Sequence, residues 1–465
     1  MPMTPSKVDV ALSAESPSML PEAEPAPLHV EPSEPFRILI LGDFSGRSSA
    51  AARALQVDVD NFDELLSRLA PSVNLALGIA GTPPLTLEFR QLSDFEPDSI
   101  FERCELLRNG IESGAPRASA PQPKTASRTA DPGDDVSRLV SGGLLDQIVE
   151  KHDQLDQIVE RIVKPDLVPR ESTDSLQITA DRELRASVLA RAILHHPQFQ
   201  ALESIWRWLD FLVRHLETGE HLKLYIADVP KEELITSLLK TKNFRSSNIY
   251  KIIIQDSIQA GEPRPWAAIA GNYAFDRSNA DDVELLERIG LLARAAGAPF
   301  LAECLPSEEK ESASWDALRK SANAAWIGLA LPRILLRLPY GKDTCRVESF
   351  AFEEMPGEPK HQDYLWGNPA FACTFLLARA FCESGWEALP GTSYQIDDLP
   401  FHTFKIGGET RAQPPAEVLL SDNDCELLGQ QGLMAFRAFK DRDSLRLAGF
   451  RSIAEPPTAL SGRWK

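Results

Sequence analysis

The chain has 465 residues, with 49 Lys+Arg against 68 Asp+Glu and a formal net charge of −19. That length suggests roughly two to four domains, and 43% hydrophobic with 25% charged residues is a globular composition, not a fibrous or wholly disordered one. The acidic balance excludes nucleic acid as the main partner, because phosphate binding needs a clustered basic surface.

No apolar run approaches the roughly 18 to 20 residues that cross a bilayer, and the start MPMTPSKVDVALSAESPSML lacks a basic segment followed by an apolar one. No membrane insertion is expected, and the reading is cytoplasmic. The cysteines (Cys104, Cys304, Cys345, Cys373, Cys382, Cys425) never fall as CxxC and are too sparse for a disulfide scaffold, so buried reduced thiols are expected.

Residues 1–35 hold eight prolines among Ser, Ala and Glu. Such a segment cannot bury enough apolar surface to offset chain entropy, and it reads as an arm that is disordered or ordered only by a partner. Phe36-Arg37-Ile38-Leu39-Ile40-Leu41, closed by Gly42-Asp43, reads as a buried strand and turn. Asp60 to Leu66 places caps and acids before apolar positions 62, 65, 66 and 69, predicting a short helix stopped by Pro71. Strands are predicted at 73–79 and 85–92, and a helix at about 99–111. Residues 113–138 are rich in Pro, Ser and Ala with almost no large apolar residue, the composition of a flexible linker between two folded units.

Beyond the linker, 139–170 reads as a helical segment in which LDQIVE occurs at 145–150 and again at 155–160. Ten residues turn a helix through about 1000°, roughly 80° short of three turns, so the two copies do not share a face as heptads would. Such a helix packs against two neighbours or serves as a recognition segment for a partner. A helical stretch over 181–216 is broken into a corner by His195-His196-Pro197. Strands at 221–229, 249–255 and 266–271 interleave with helices at 231–241 and 279–297, the pattern of an α/β unit. A helix ending at Gly385 follows, then β-like segments at 401–406 and 414–420, and a polar tail over 457–465.

No chemistry stands out. GDFSGR at 42–47 has two glycines after a strand but lacks the longer loop and the Lys-Ser/Thr of a phosphate-binding loop, so a turn with Asp43 bonded to local backbone is the better reading. Asp58 to Asp63 hints at a calcium loop, yet Asp63 stands where Gly is needed and Leu69 where a bidentate carboxylate belongs. His195 and His196 are adjacent and diverge on a helix, which favours a structural corner over a metal pair. The stripe at 202, 205, 206, 209 and 212, Trp206 included, reads as core. Arg333, Arg337 and Arg346 are expected to pair with acids of this chain or a neighbour. No local motif specifies a nucleophile with its base, so no catalytic, cofactor or metal site is expected.

Taken together, ILHHPQFQALESIWRWLDFLV (193–213), PWAAIAGNYAFD (265–276), AGAPFLAE (296–303), IGLALPRILLRLPYG (327–341), FEE (352–354), YLWGNPAFA (364–372) and LPFHTFK (399–405) resemble, in order, the large subunit of bacterial type VI secretion contractile sheaths (TssC, or VipB). FRILILGDFSGR, VDNFDELLSRLAPSVNL and LTLEFRQLSDFEPDSI resemble the small subunit (TssB, or VipA). The resemblance implies a mixed α/β (α+β) sheath protomer in one chain, with a β-rich small-subunit-like segment at 36–112 and a large-subunit-like α/β body at 171–456. It implies a structural protein that is not an enzyme, needs no cofactor, and assembles with other sheath protomers around an inner tube above baseplate components. It also implies an AAA+ unfoldase as a partner. By position, the 144–163 helix, with Leu145, Ile148, Val149, Leu155, Ile158 and Val159, is the candidate unfoldase contact. The small-subunit resemblance fades near Ile111 and the large-subunit resemblance near Pro456. The alternative expectation is therefore a non-polymerising sheath-like adaptor or regulator.

Overall fold

The computed structural model describes residues 34–47, 52–78, 84–105, 107, 174–241, 243–259, 264–306, 311–387 and 394–464. The arm up to residue 33, the 113–138 linker and the 139–170 helix, with all six of its candidate contact residues, lie outside the described residues.

The fold is a mixed α/β sandwich on a 9-stranded sheet. In chain order the strands of that sheet are β1 (Phe36–Gly42), β2 (Leu55–Val57), β5 (Leu222–Asp228), β6 (Ala268–Phe275), β7 (Phe300–Cys304), β8 (Ile327–Leu331), β11 (Gln395–Ile396), β14 (Leu433–Ala438) and β15 (Leu445–Leu447). Across the sheet the order is β11-β15-β14-β8-β7-β6-β1-β5-β2. From β14 to β5 the strands run parallel, and β2, β15 and β11 join antiparallel at the two flanks. Short pairs β3 (Ser72–Leu75) with β4 (Leu85–Glu88), β9 (Ile334–Leu335) with β10 (Trp366–Gly367), and β12 (His402–Ile406) with β13 (Glu409–Gln413) lie outside the main sheet.

The unbroken apolar run of β1 follows from having both faces covered. Ile38 and Ile40 enter one core with the helices α1 (Phe62–Leu69), α4 (Pro197–His215) and α9 (Pro369–Ser384). Leu39 and Leu41 enter the opposite core with α5 (Lys231–Ile235), α7 (Ala280–Ala296) and α8 (Ala313–Arg319). The remaining helices are α2 (Pro97–Arg103), α3 (Asp174–Leu194), α6 (Asn248–Tyr250) and α10 (Asp422–Gln430).

The predicted corner is the junction of α3 and α4. His196 takes an extended ψ of 128°, its Nδ1 accepts from the Gln198 amide at 3.3 Å, and Pro197 opens α4 where its missing N–H costs nothing.

Three sequence expectations are corrected. Residues 249–255 form no strand: α6 runs into a π-helix over Lys251–Gln259, with the Ser247 hydroxyl accepting from the Tyr250 amide as its cap. Ile249, Ile252 and Ile253 sit at i, i+3 and i+4 and are all buried, so the run is a helix face that the β-branched composition disguised. Residues 414–420 make only a single bridge, Ala416 to Ile334, because Pro414 and Pro415 have no amide to donate to a ladder. Of the cysteines, Cys345 and Cys382 are exposed, while the other four are buried. The last residues pack on the body: Leu460 is buried, and Arg463 lies over the Trp386 ring and pairs with Glu34 at 2.6 Å.

Candidate functional site

The feature that organises the molecule is the seam between residues 34–107 and the body that begins at Asp174. β1 pairs with β5 over its whole length, from Phe36 opposite Leu222 to Gly42 opposite Asp228, and with β6 from Ile38 opposite Ala268 to Leu41 opposite Gly271. A strand of the first segment therefore lies between two strands of the second segment's sheet, third from one edge. Arg37 lies between the Trp266 and Tyr225 rings, at 4.2 and 4.6 Å, and donates to the Arg264 carbonyl.

The turn after β1 is fixed from the other segment. Asp228 Oδ1 accepts from the Phe44 and Ser45 amides at 2.8 and 3.1 Å, and the Trp206 indole donates to the Phe44 carbonyl at 3.0 Å. Asp43 accepts from the Gly46 amide at 2.7 Å, as expected for a closed turn. Burial pushes the Asp43 carboxyl up, partly opposed by that amide. Gly46 has φ +69°, and a Cβ there would lie 2.2 Å from the Ser72 carbonyl oxygen. Close backbone approach, not a phosphate, accounts for this glycine.

Further along the seam, Phe89 and Phe95 stack at 4.0 Å and both meet Phe199 of α4 edge-on at 5.8 Å. Asp98 of α2 accepts from the Glu348 and Ser349 amides at 3.0 and 2.7 Å. Asp58, from the rejected calcium loop, accepts from the Asn61 amide at 3.0 Å, as a turn carboxylate does.

Behind the seam lies a buried ion network that the sequence pattern concealed. Glu203, inside the apolar stripe of α4, is fully buried and accepts from Arg207 Nε at 2.7 Å and Arg337 Nε at 2.8 Å. Arg337 also forks onto Glu354, with Nη1 at 2.7 Å and Nη2 at 3.0 Å. The Tyr340 amide donates to Glu354 at 2.7 Å, and the Arg207 guanidinium donates to the Tyr340 hydroxyl at 3.0 Å. Burial alone would push the Glu354 carboxyl up, but Arg337, with help from His195 and the Tyr340 amide, holds it at about 2. The network ties α4 to the 337–354 segment, and its two acids balance its two arginines. Of the other arginines expected to pair, Arg333 forks onto Glu417 at 2.9 and 2.6 Å, and Arg346 approaches Glu348 at 3.7 Å on the surface.

Beyond the carboxyl ends of β6, β7 and β8 lies a cavity of about 580 Å³ lined by His195, Ser204, Asn272, Glu303, Arg333 and Asp363. Open parallel sheets place ligands at this edge, and here His195 stands near two acids while Arg333 is committed to Glu417. His195 lies 3.5 Å from Glu354 and 3.7 Å from Asp363, and the Ser204 hydroxyl donates to the Ala201 carbonyl at 2.9 Å. Burial pushes the nearby Cys304 thiol up to about 12, a value for an inert side chain. Among the described residues, no group of three or more His, Cys, Asp or Glu side chains is arranged to hold a metal. No described helix is long and apolar enough to cross a membrane.

The fold and this seam define a two-part α/β chain in which residues 34–107 complete the sheet of the body that follows. Residues 178–307 and 305–454 match the VipB/EvpB tail sheath N-terminal domain, and residues 29–113 match the VipA family of type VI secretion systems. The type VI secretion system sheath protein TssC1 of Pseudomonas aeruginosa (strain PAO1) is 33% identical over 311 residues, which are 61% of this chain and 62% of that protein. The VipB match spans more than half of the chain, and the chain belongs to the VipB (TssC) tail-sheath family, with a VipA (TssB)-like segment fused ahead of it.

Proposed function

We propose that this chain is a structural subunit of a bacterial type VI secretion contractile sheath, in which a single polypeptide supplies what the VipA and VipB families otherwise supply between them. The observation that carries this reading is β1: a strand from the VipA-matched segment is inserted between β5 and β6 in the sheet of the VipB-matched body. In this reading copies of the chain stack into a helical tube around an inner-tube protein, on baseplate components, in the bacterial cytoplasm. The work is mechanical: packed bodies rotate and translate while arms linked by strand exchange keep them joined. No catalytic role is assigned.

Residues 1–35 are the proposed linking arm and 113–138 the tether between the two units. The 144–163 segment, through Leu145, Ile148, Val149, Leu155, Ile158 and Val159, is the proposed contact for an AAA+ unfoldase that recycles the sheath. Negative-stain microscopy of the purified chain, alone and mixed with a conventional VipA/VipB pair, tests the central reading. Tubes, or incorporation into the pair's tubes, are expected. Discrete particles in both samples would instead favour a non-polymerising adaptor.

A further inference from the structure

The β12–β13 hairpin stands apart from the rest of the fold. Among the described residues its strands pair only with each other, outside the main sheet. Of the twelve residues from His402 to Gln413, one is buried, His402, and eight are exposed. Arg411 reaches Glu358 at 3.3 Å on the surface, and the Gln413 amide donates to the neighbouring Pro414 and Ala416 carbonyls at 3.2 and 3.1 Å. An open groove of about 490 Å³, lined by Tyr340, Glu353, Met355, Phe404 and Lys405, lies between the hairpin and the 339–359 segment. The hold of the hairpin on the body is therefore concentrated in one imidazole.

His402 is 7% exposed, and its Nδ1 lies 2.8 Å from the hydroxyl of Tyr364, itself buried in the segment ahead of β10. The His402 ring meets the Tyr364 ring edge-on at 5.7 Å and the Phe404 ring at 5.2 Å. An unprotonated Nδ1 accepts from the hydroxyl, whereas a second proton on the ring makes both nitrogens donors and brings a full charge into the site. His402 has no ion pair among the described residues to balance that charge. Glu354, the acid that acts on it, is already forked by Arg337. Asp343, Glu353 and Lys405 line the open groove, and Glu353 accepts from the Lys342 amide at 3.0 Å. Burial and Asp363 push the Tyr364 hydroxyl up, so that group stays neutral. Burial lowers His402 below the ordinary histidine range, and Glu354 opposes it only in part.

We propose that the His402–Tyr364 contact is a proton-sensitive latch: the neutral imidazole holds the β12–β13 hairpin against the body, and protonation of the ring releases it. The proton comes from solvent, which reaches the ring once the hairpin lifts. A freed imidazole titrates at its ordinary value, so docking is complete above that value and weakens as pH falls through it. The opening is local, because the hairpin shares no ladder with the main sheet. The inference uses these contacts alone and is independent of the sheath reading.

Hydrogen exchange of the full chain read by mass spectrometry, corrected for the intrinsic rate at each pH, tests it. A docked ring that binds no proton, set against a freed ring titrating at about 6.5, raises the opening equilibrium of residues 402–413 by up to about 30-fold from pH 7.5 to pH 5. Strands β1, β5 and β6 are expected to keep their protection over that range. H402Q stays uncharged and its side-chain carbonyl accepts from the Tyr364 hydroxyl, so its hairpin should be equally protected at both pH values. H402K carries the charge throughout and should leave the hairpin open at both. Equal protection of 402–413 at pH 7.5 and pH 5 in the unaltered chain, or an H402Q hairpin that opens in acid as the unaltered one does, would overturn the proposal. Should H402Q prove open at both pH values, Y364F decides: weaker protection at pH 7.5 with the acid response retained upholds the latch, and a hairpin indifferent to the lost hydroxyl defeats it.

Discussion

Replacing Arg337 with methionine removes the guanidinium that sits between Glu203 and Glu354 while keeping most of the side-chain volume. Arg337 is 8% exposed and both carboxylates are fully buried, so the variant leaves a buried acid without its counter-charge. Removing one member of such a pair costs roughly 3–5 kcal/mol. The Glu354 carboxyl gives a second route to the magnitude, since a fall from 4.5 to about 2 corresponds to about 3 kcal/mol of stabilisation of its charged form. Arg207 still serves Glu203, so most of the loss falls on Glu354. The assay is urea unfolding followed by tryptophan fluorescence at pH 7 and pH 5.

The sign of the pH effect separates this account from a simple packing loss. In the unaltered chain the folded-state value of Glu354 lies below its unfolded one. Its contribution is therefore complete above about 4.5 and is lost as pH falls toward 2. That chain should show no change from Glu354 between pH 7 and pH 5. In R337M the same carboxyl is raised by burial, so its destabilisation is relieved as pH falls from 7 to 5. E354Q placed on R337M should recover most of the loss at pH 7. A loss below about 1 kcal/mol at pH 7, where about 3 is expected, would refute the reasoning. So would an R337M chain as indifferent to pH between 7 and 5 as its parent.

Other outcomes follow from the same structure. Burial, opposed by Arg333, pushes the Glu303 carboxyl up to about 7, so its favourable neutral form is lost as pH rises through that value. E303Q should therefore gain denaturant resistance over the unaltered chain from pH 5 to pH 8, and a gap that shrinks over that range would contradict the assignment. G46A, which forces a Cβ toward the Ser72 carbonyl at a positive φ, should lower stability by about 1–3 kcal/mol. Inorganic phosphate should leave the melting of the unaltered chain unchanged, and a raised melting point would restore the anion-loop reading of 42–47. Deleting 139–170 should abolish capture of the chain by the AAA+ unfoldase while tubes still form, and retained capture would move that contact elsewhere. Deleting 1–35 should weaken assembly, and an unchanged tube yield would count against an arm-exchange role.

The parts of the fold legible in sequence are those with strong local signals. The 36–41 run, the His196-Pro197 corner and the Asn279-capped helix up to Gly297 carry their own start and stop, whereas the strand expected over 85–92 begins at Leu85 but ends at Glu88, with a 3-10 turn at Leu92–Phe95. Misread elements carried ambiguous ones. The isoleucines of 249–254 suit a buried strand by composition, and only their i, i+3, i+4 spacing betrays the helix. Strands β7 and β8 entered the sequence reading only inside the longer motifs at 296–303 and 327–341, and β14 not at all, although Pro299, Pro332 and Gly432 flank them: a run of five or six residues is too short for its periodicity to tell strand from helix. The seam was half legible. The resemblance put two subunit-like segments in one chain, but no local pattern says that β1 lies between β5 and β6, because strand order is set by tertiary packing. Glu203 was hidden for a related reason: an acid within an apolar stripe signals a buried pair only when its partner is known, and Arg337 lies 134 residues away.

The most direct test of the account is the mass of the repeating unit in an assembled tube. Electron microscopy of tubes grown from the purified chain, with mass per length measured on the same specimens, should give one protomer of 51.4 kDa per helical subunit, with the β1 strand inside the sheet of its own chain's body. Tubes that form only after a separate small subunit is added, or a repeat heavier than one chain, would contradict the claim that one polypeptide builds the whole protomer.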